Sequence, residues 1–357
     1  MSERRPPRAV IVRATPSPVG LVFAAGAAVV ALWFLYQVAG AILIFFFAAV
    51  VAIALSAPVG WFMRRGFTRR AAAATTLFLF FATLILLGWL VIPRLITQVV
   101  SLVNGLPDFI RQIEGEVTAL LTNYPDLQHY VRMDGANADI VPAAVDLFAG
   151  VGAASLSLLA TIALAILFLS TCAYIVLDPR PIVRGYIGSL PFAHRAAGVR
   201  AYRRAARSVI GWAKASVVVG ALQAIAVFIF LTWMDVPGAL VWAALAFFAD
   251  FIPRIGGYIM AFPPVVLSLG QGLMTSVWIA VFYIISNEIL GSIVAPKIRG
   301  TTMQLHPVLI IFFTLAFALA FGLLGAVVAT PAAAFAAAFY SEFYMKRPLP
   351  RAALTLR

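Results

Sequence analysis

Uncharged apolar stretches of membrane-span length recur along the chain, at Val19–Tyr36, Val38–Met63, Ala71–Ile92 and Gly150–Leu177, with a fifth, Ala215–Met234, between Lys214 and Asp235. A helix needs about 20 such residues to cross the hydrocarbon of a bilayer, so each stretch predicts one spanning helix. Between the third and fourth the pattern changes. Leu95, Val99, Leu102, Leu106, Phe109 and Ile113 recur at spacings of three and four within 93–148, which predicts an amphipathic helix broken at Pro107 and Pro125. A small helical cap is expected there rather than a separate domain.

The C-terminal half departs from simple spans. Val236–Ala249 and Ile255–Leu269 are each too short to cross alone, and Asp250, Pro253, Arg254, Gly256 and Gly257 interrupt the apolar run between them. Met303–Ser341 is nearly twice a span and is interrupted by Gly322, Gly325 and Pro331. Each segment reads either as one long broken helix or as a re-entrant hairpin, the first with its tip at Asp250 to Gly257. The hairpin count places Lys297 and Arg299 with the other basic residues and is preferred. The predicted fold is an all-α polytopic membrane protein, with about five to six full transmembrane helices plus two broken or re-entrant hairpins at 236–270 and 303–341. Counted conventionally, that makes about eight hydrophobic segments.

Composition supports a membrane protein: 63% of the 357 residues are apolar and 11% charged, against about a quarter charged in an ordinary globular chain. The net charge of +13 reads as topology rather than as a nucleic-acid footprint, because the basic residues cluster by segment. Arg4, Arg5, Arg8 and Arg13 occupy the tail 1–18, Arg64, Arg65, Arg69 and Arg70 follow the second stretch, and eight more lie in 178–214. Segment 93–148 instead carries three basic and seven acidic residues. By the positive-inside rule the N-terminus, 178–214 and the tail 342–357 are expected in the cytoplasm, with 93–148 outside. No cleavable signal is apparent, so Val19–Tyr36 is expected to be retained. Three spans in 19–92, a fourth in 149–177 and a C-terminal membrane region at 215–341 complete the expected organisation.

Candidate chemistry is sparse. Cys172 is the single cysteine and there are three histidines, which leaves little for a metal or redox site. No Gly-x-x-x-x-Gly-Lys-Ser/Thr loop and no Gly-x-Ser-x-Gly or His-Glu-x-x-His motif occurs, so no cofactor, no ATP-driven cycle and no enzyme activity is expected. Asp250 and Glu288 are the acidic residues at apparent membrane depth, where a carboxylate needs water or a partner and marks an ion or solute path. Solvated positions at interfaces or tips are the plain alternative. Pro253, Gly256 and Gly257 break the backbone where only protein or a water-filled cavity can satisfy it, and broken helices are a pointer to transporter binding sites.

The run from Asp250 through Ile252, Pro253 and Gly256 to Pro263 and Pro264 resembles the signature of the autoinducer-2 exporter family of bacterial membrane proteins, an acidic or polar residue followed by x-Ile-Pro-x-x-Gly. Ala295 to Gly300 with Pro296, Leu305-His306-Pro307, Phe321 to Gly325 and Ala329-Thr330-Pro331 resemble the rest of its C-terminal pattern, in the same order. Arg254 and Gly257 depart from the expected residues, and Ser292 stands where relatives often carry an amide. The resemblance implies a multi-pass secondary transporter of the bacterial inner membrane, homo-oligomeric, moving a small polar metabolite by alternating access. Cation/proton antiport, a passive channel and a structural assembly remain as alternatives. The expected binding residues are Asp250, Pro253, Arg254, Gly256, Gly257, Asn287 and Glu288, with hinges or hairpin turns at Pro263, Pro296, Gly322, Gly325 and Pro331. Expected partners are membrane lipid, a small-molecule or monovalent-cation cargo and further copies of the chain, with no nucleic acid.

Overall fold

A computed structural model describes residues 18–123, 158–253, 255–299 and 306–345. The described residues form helices and turns, with no strand among them. The order is α1 (Pro18–Arg64), α2 (Arg69–Asn123), α3 (Leu158–Leu177), α4 (Arg180–Gly188), α5 (Arg195–Trp233), α6 (Ala239–Ala249), α7 (Gly256–Ser268), α8 (Leu273–Glu288), α9 (Ala295–Arg299) and α10 (Pro307–Tyr340). By internal contacts the chain forms two units, Met1–Phe46 and Phe47–Arg357. Five described helical runs are long and apolar enough to cross a membrane, and the α3–α4 pair, bent by 85° where Asp178 and Pro179 intervene, would make a sixth. This is an all-α polytopic membrane protein.

Two expected boundaries are absent. The stretches Val19–Tyr36 and Val38–Met63 belong to one unbroken helix, α1. Gln37 is one uncharged polar side chain with neither Gly nor Pro beside it, so nothing interrupts the backbone hydrogen bonds. Likewise α2 joins the third stretch to the amphipathic segment and runs through Pro93 and Pro107 to Asn123. A proline removes one hydrogen bond but its own φ is helical, so it need not end a helix. The break expected at Pro125 lies outside the described residues.

Within the second unit, Ala48, Ala52, Val59, Ala72, Ala73, Leu77, Cys172, Ile175 and Val176 knit the C-terminal part of α1 to α2 and α3. A second cluster joins α5 through α8, with Val227, Leu231, Trp242, Ala246, Leu267, Ile279 and Tyr283 at its centre. Around this cluster α6 and α7 form a helical hairpin. The chain reverses between Asp250 and Ile255, and the two far ends meet again, where Gln271 Nε2 donates to the Asp235 carbonyl at 2.8 Å. The helix α10 also reverses. Gly322 has φ 63° and ψ −147°, and a Cβ on Gly325 would overlap the Phe317 carbonyl. In a straight helix these two residues would lie about 12 Å apart, so the chain folds back at Gly322. Pro331 is buried inside the returning arm, and the helix continues through it.

That backbone at Gly322 is essentially reserved for glycine. Gly322→Ala is therefore expected to lower stability by about 1–3 kcal/mol, read as a lower melting temperature in detergent. Gly26→Ala, in α1 with nothing within 4 Å of the added Cβ, is the control and should melt no lower than the parent.

The arginine-rich start of α5 is tied to the end of the chain's last described helix. Arg200 Nε lies 2.9 Å from Glu342 Oε2, and Arg204 Nη1 donates to Ser341 Oγ at 3.1 Å. Both contacts fall on the π-helical turn Ser341–Met345 that follows α10. Part of the basic cluster thus has protein partners besides any contact with lipid.

Candidate functional site

Two breaks in the C-terminal half converge. At the hairpin tip, Gly256 packs so closely on the Ala249 carbonyl that a Cβ there would overlap it, and the next residue, Gly257, packs equally closely on the Asn287 amide. Only side chains without a Cβ permit both approaches. The tip is thereby pressed on the end of α8, where the helix leaves its regular geometry. Ile289–Val294 is a π-helical segment between α8 and α9. Pro296 follows two residues after its end and has no N–H to donate to the previous turn, and such widened turns recur at functional sites.

Between these elements lies a cavity of about 320 Å³. Ser216 and Val219 of α5 form one side, Asp250, Ile252, Pro253, Gly257 and Tyr258 the hairpin side, and Pro307, Ile310 and Ile311 of α10 an apolar wall. Asn287, Glu288, Gly291, Ser292, Ala295 and Pro296 complete it from α8, the π segment and α9. Glu288 is held from two elements. Tyr258 Oη donates to Oε1 at 2.7 Å, and Ser292 Oγ, one turn later, donates to Oε2 at 3.0 Å. Nearby, Gln223 Nε2 donates to Ser286 Oγ at 3.2 Å and links α5 to α8.

Six of the expected residues therefore share one cavity: Asp250, Pro253, Gly257, Asn287, Glu288 and Pro296. Gly256 stands behind the tip as a packing contact, and Arg254 lies outside the described residues. Pro263 is interior to α7 beside Pro264. Gly322, Gly325 and Pro331 belong to the turn and returning arm of α10, not to the cavity lining. The residues that the sequence did not offer are Ser216 and Tyr258. Ser292 was visible as a departure from the family pattern, but its hydrogen bond to Glu288 was not. Among the described residues no group of three His, Cys, Asp or Glu side chains gathers to hold a metal.

The sequence matches the family described as AI-2E family transporter over residues 21–345. The chain belongs to the AI-2E transporter family. Among individual relatives of this AI-2E chain, MT0215 of Mycobacterium tuberculosis is 29% identical over 295 residues, covering 80% of this chain and 78% of that protein. YhhT of Escherichia coli K12 is 24% identical over 275 residues, 74% of this chain and 73% of its own length. Both are provisionally named as transport proteins. The AI-2 transport protein TqsA of Escherichia coli K12 is 29% identical over 119 residues, 33% of this chain and 34% of its own. The family and these relatives make the chain a membrane transporter.

Proposed function

We propose that this protein is a secondary transporter that carries a small polar solute across the bacterial inner membrane by alternating access, with the cavity at Glu288 as its binding site. The observation that carries the reading is the convergence of two irregular elements, the α6–α7 tip and the π segment, with the start of α10 on one cavity that holds Asp250, Asn287 and Glu288. Broken helices that present polar groups to a shared cavity are the usual architecture of a transporter site. The name of TqsA extends the proposal to an autoinducer-2-like solute, a small hydroxylated ring.

The arginine and lysine distribution supports cytoplasmic N- and C-termini. With that orientation the cavity lies toward the cytoplasm. Ser216 is two residues beyond Lys214 and 17 residues before Trp233, about 26 Å of helix and most of a hydrocarbon thickness. In this reading, movement of either hairpin against α5 exposes the site first to one face of the membrane and then to the other. Homo-oligomeric assembly belongs to the same proposal, supported by the Phe- and Ala-rich, low-charge N-terminal spans; a strictly monomeric cross-linking pattern in membranes would remove it.

Glu288 favours cation/proton exchange as the second reading, since a carboxylate in a cavity can exchange a proton for a cation. Reconstitution separates the two. Liposomes with an imposed pH gradient are followed for proton movement on adding sodium, potassium or a furanosyl diol. Cation-evoked proton movement lost in Glu288→Gln or Asp250→Asn assigns antiport, and saturable diol uptake against its gradient assigns solute transport. Flux that never saturates and never runs against a gradient would replace both with a passive channel.

A further inference from the structure

Hydrogen bonding in the second unit leaves an uneven remainder. Trp212 Nε1, Ser216 Oγ and Gln223 Oε1 on α5, and Tyr283 Oη and Asn287 Nδ2 on α8, are buried side-chain atoms without a hydrogen-bond partner. Positions 212, 216 and 223 share one face of α5, and 283 and 287 share one face of α8. Those faces meet. Gln223 bonds Ser286, the Phe230 ring stacks on Phe282 at 4.0 Å, and Val227 and Leu231 share a core cluster with Ile279 and Tyr283. Farther along the same face of α8, the buried hydroxyls of Ser276 and Ser268 lie 2.9 Å apart, close to the Gln271 end of the hairpin. Polar atoms thus run from the cavity into the seam as far as Gln223 and Tyr283, and beyond them Val227, Leu231 and Ile279 close it with apolar side chains.

An unsatisfied buried polar atom costs about 1–3 kcal/mol, and folded proteins leave few of them. Four of them, Ser216 and Asn287 at the cavity and Gln223 and Tyr283 beyond it, would be a standing burden for a bundle with a single conformation. In a protein that alternates, the burden falls on one state only, because the same atoms meet water or solute in the other. We infer that the α5–α8 seam is the closed part of the transport route, leading outward from the cavity at Ser216 and Asn287, with Gln223 and Tyr283 as its constriction. No acidic or basic side chain lies in 215–234 or 273–287. A solute in the seam is therefore matched by hydrogen bonds, and a bare cation would find no counter-charge there. The inference rests on the reading of the chain as a transporter with its site at Glu288.

Thiol labelling tests the route without needing the cargo. Cys172→Ala removes the sole native cysteine, and Gln223→Cys or Tyr283→Cys is then introduced into the full chain in liposomes. A small membrane-impermeant methanethiosulfonate is applied. Val241→Cys and Ala73→Cys, fully buried positions on α6 and α2, report ordinary core packing. An open state populated at a few per cent should make 223 and 283 react at least about tenfold faster than both controls. Reaction at the control rate overturns the route. The labelling result is independent of the flux assays, so loss of the proposed cargo site and loss of the route are read separately.

Discussion

Gly256→Ala is expected to remove most folded protein from the membrane, whereas Gly257→Ala, one residue on, should leave the fold standing and disable transport. The difference lies in what each new methyl group would meet. At Gly256 it is the Ala249 carbonyl, backbone of the opposite hairpin arm, which has no rotamer to escape into. The tip has to open, at a cost of about 3 kcal/mol, a large share of a total stability of about 5–15 kcal/mol. At Gly257 it is the Asn287 amide, which can turn about its own side-chain bonds toward the cavity. The fold adapts, but the amide then occupies solute space, and uptake should fall about tenfold or more. Size-exclusion and melting profiles read the first effect, and uptake by matched liposomes reads the second. A Gly256→Ala protein that melts as the parent does would refute the close approach of the arms. Parent-like uptake by Gly257→Ala would take Asn287 out of the site.

The same pair of glycines shows what was legible in the sequence. Against an apolar background, Asp250, Asn287 and Glu288 stand out because charge and amide groups are expensive in hydrocarbon, and Pro253 with Gly256 and Gly257 stands out because these residues interrupt helices. Both signals are local, and both led to the cavity. Tyr258 and Ser216 carried no such signal. Aromatic hydroxyls and serines are ordinary in membrane helices, and their role depends on 30 residues of separation in one case and on the packing of α5 in the other. Gln37 and Pro107 misled for the opposite reason. Each interrupts the apolar pattern, but Gln37 leaves the backbone hydrogen bonds intact and Pro107 removes only one, so both helices continue. In 303–341, Gly322 has the positive φ that makes the turn and Gly325 the close approach beside it, while Pro331 sits in a regular stretch.

Glu288→Gln is the second substitution expected to act strongly, and it isolates charge from shape. Glutamine keeps the length of the side chain and an oxygen to accept one of the two hydroxyl bonds; its amide nitrogen donates to the other hydroxyl, which only has to rotate. Tyr258 and Ser292 therefore retain a partner, and the melting temperature should stay near that of the parent. If Glu288 binds a proton or cation in the cycle, transport should nevertheless stop, because the amide cannot take up or release a proton. Tyr258→Phe is the complement: it keeps the carboxylate but frees it to move. Its expected effect is about tenfold or less, since one hydrogen bond to a charged group is lost while Ser292 keeps the other. Uptake and proton movement measured together in both variants distinguish the cases. Complete loss in Glu288→Gln with partial loss in Tyr258→Phe places the charge in the mechanism, and a merely weakened but saturable uptake in Glu288→Gln makes Glu288 a hydrogen-bonding group for an uncharged solute. Parent-like uptake in both would show that solute does not pass through this cavity.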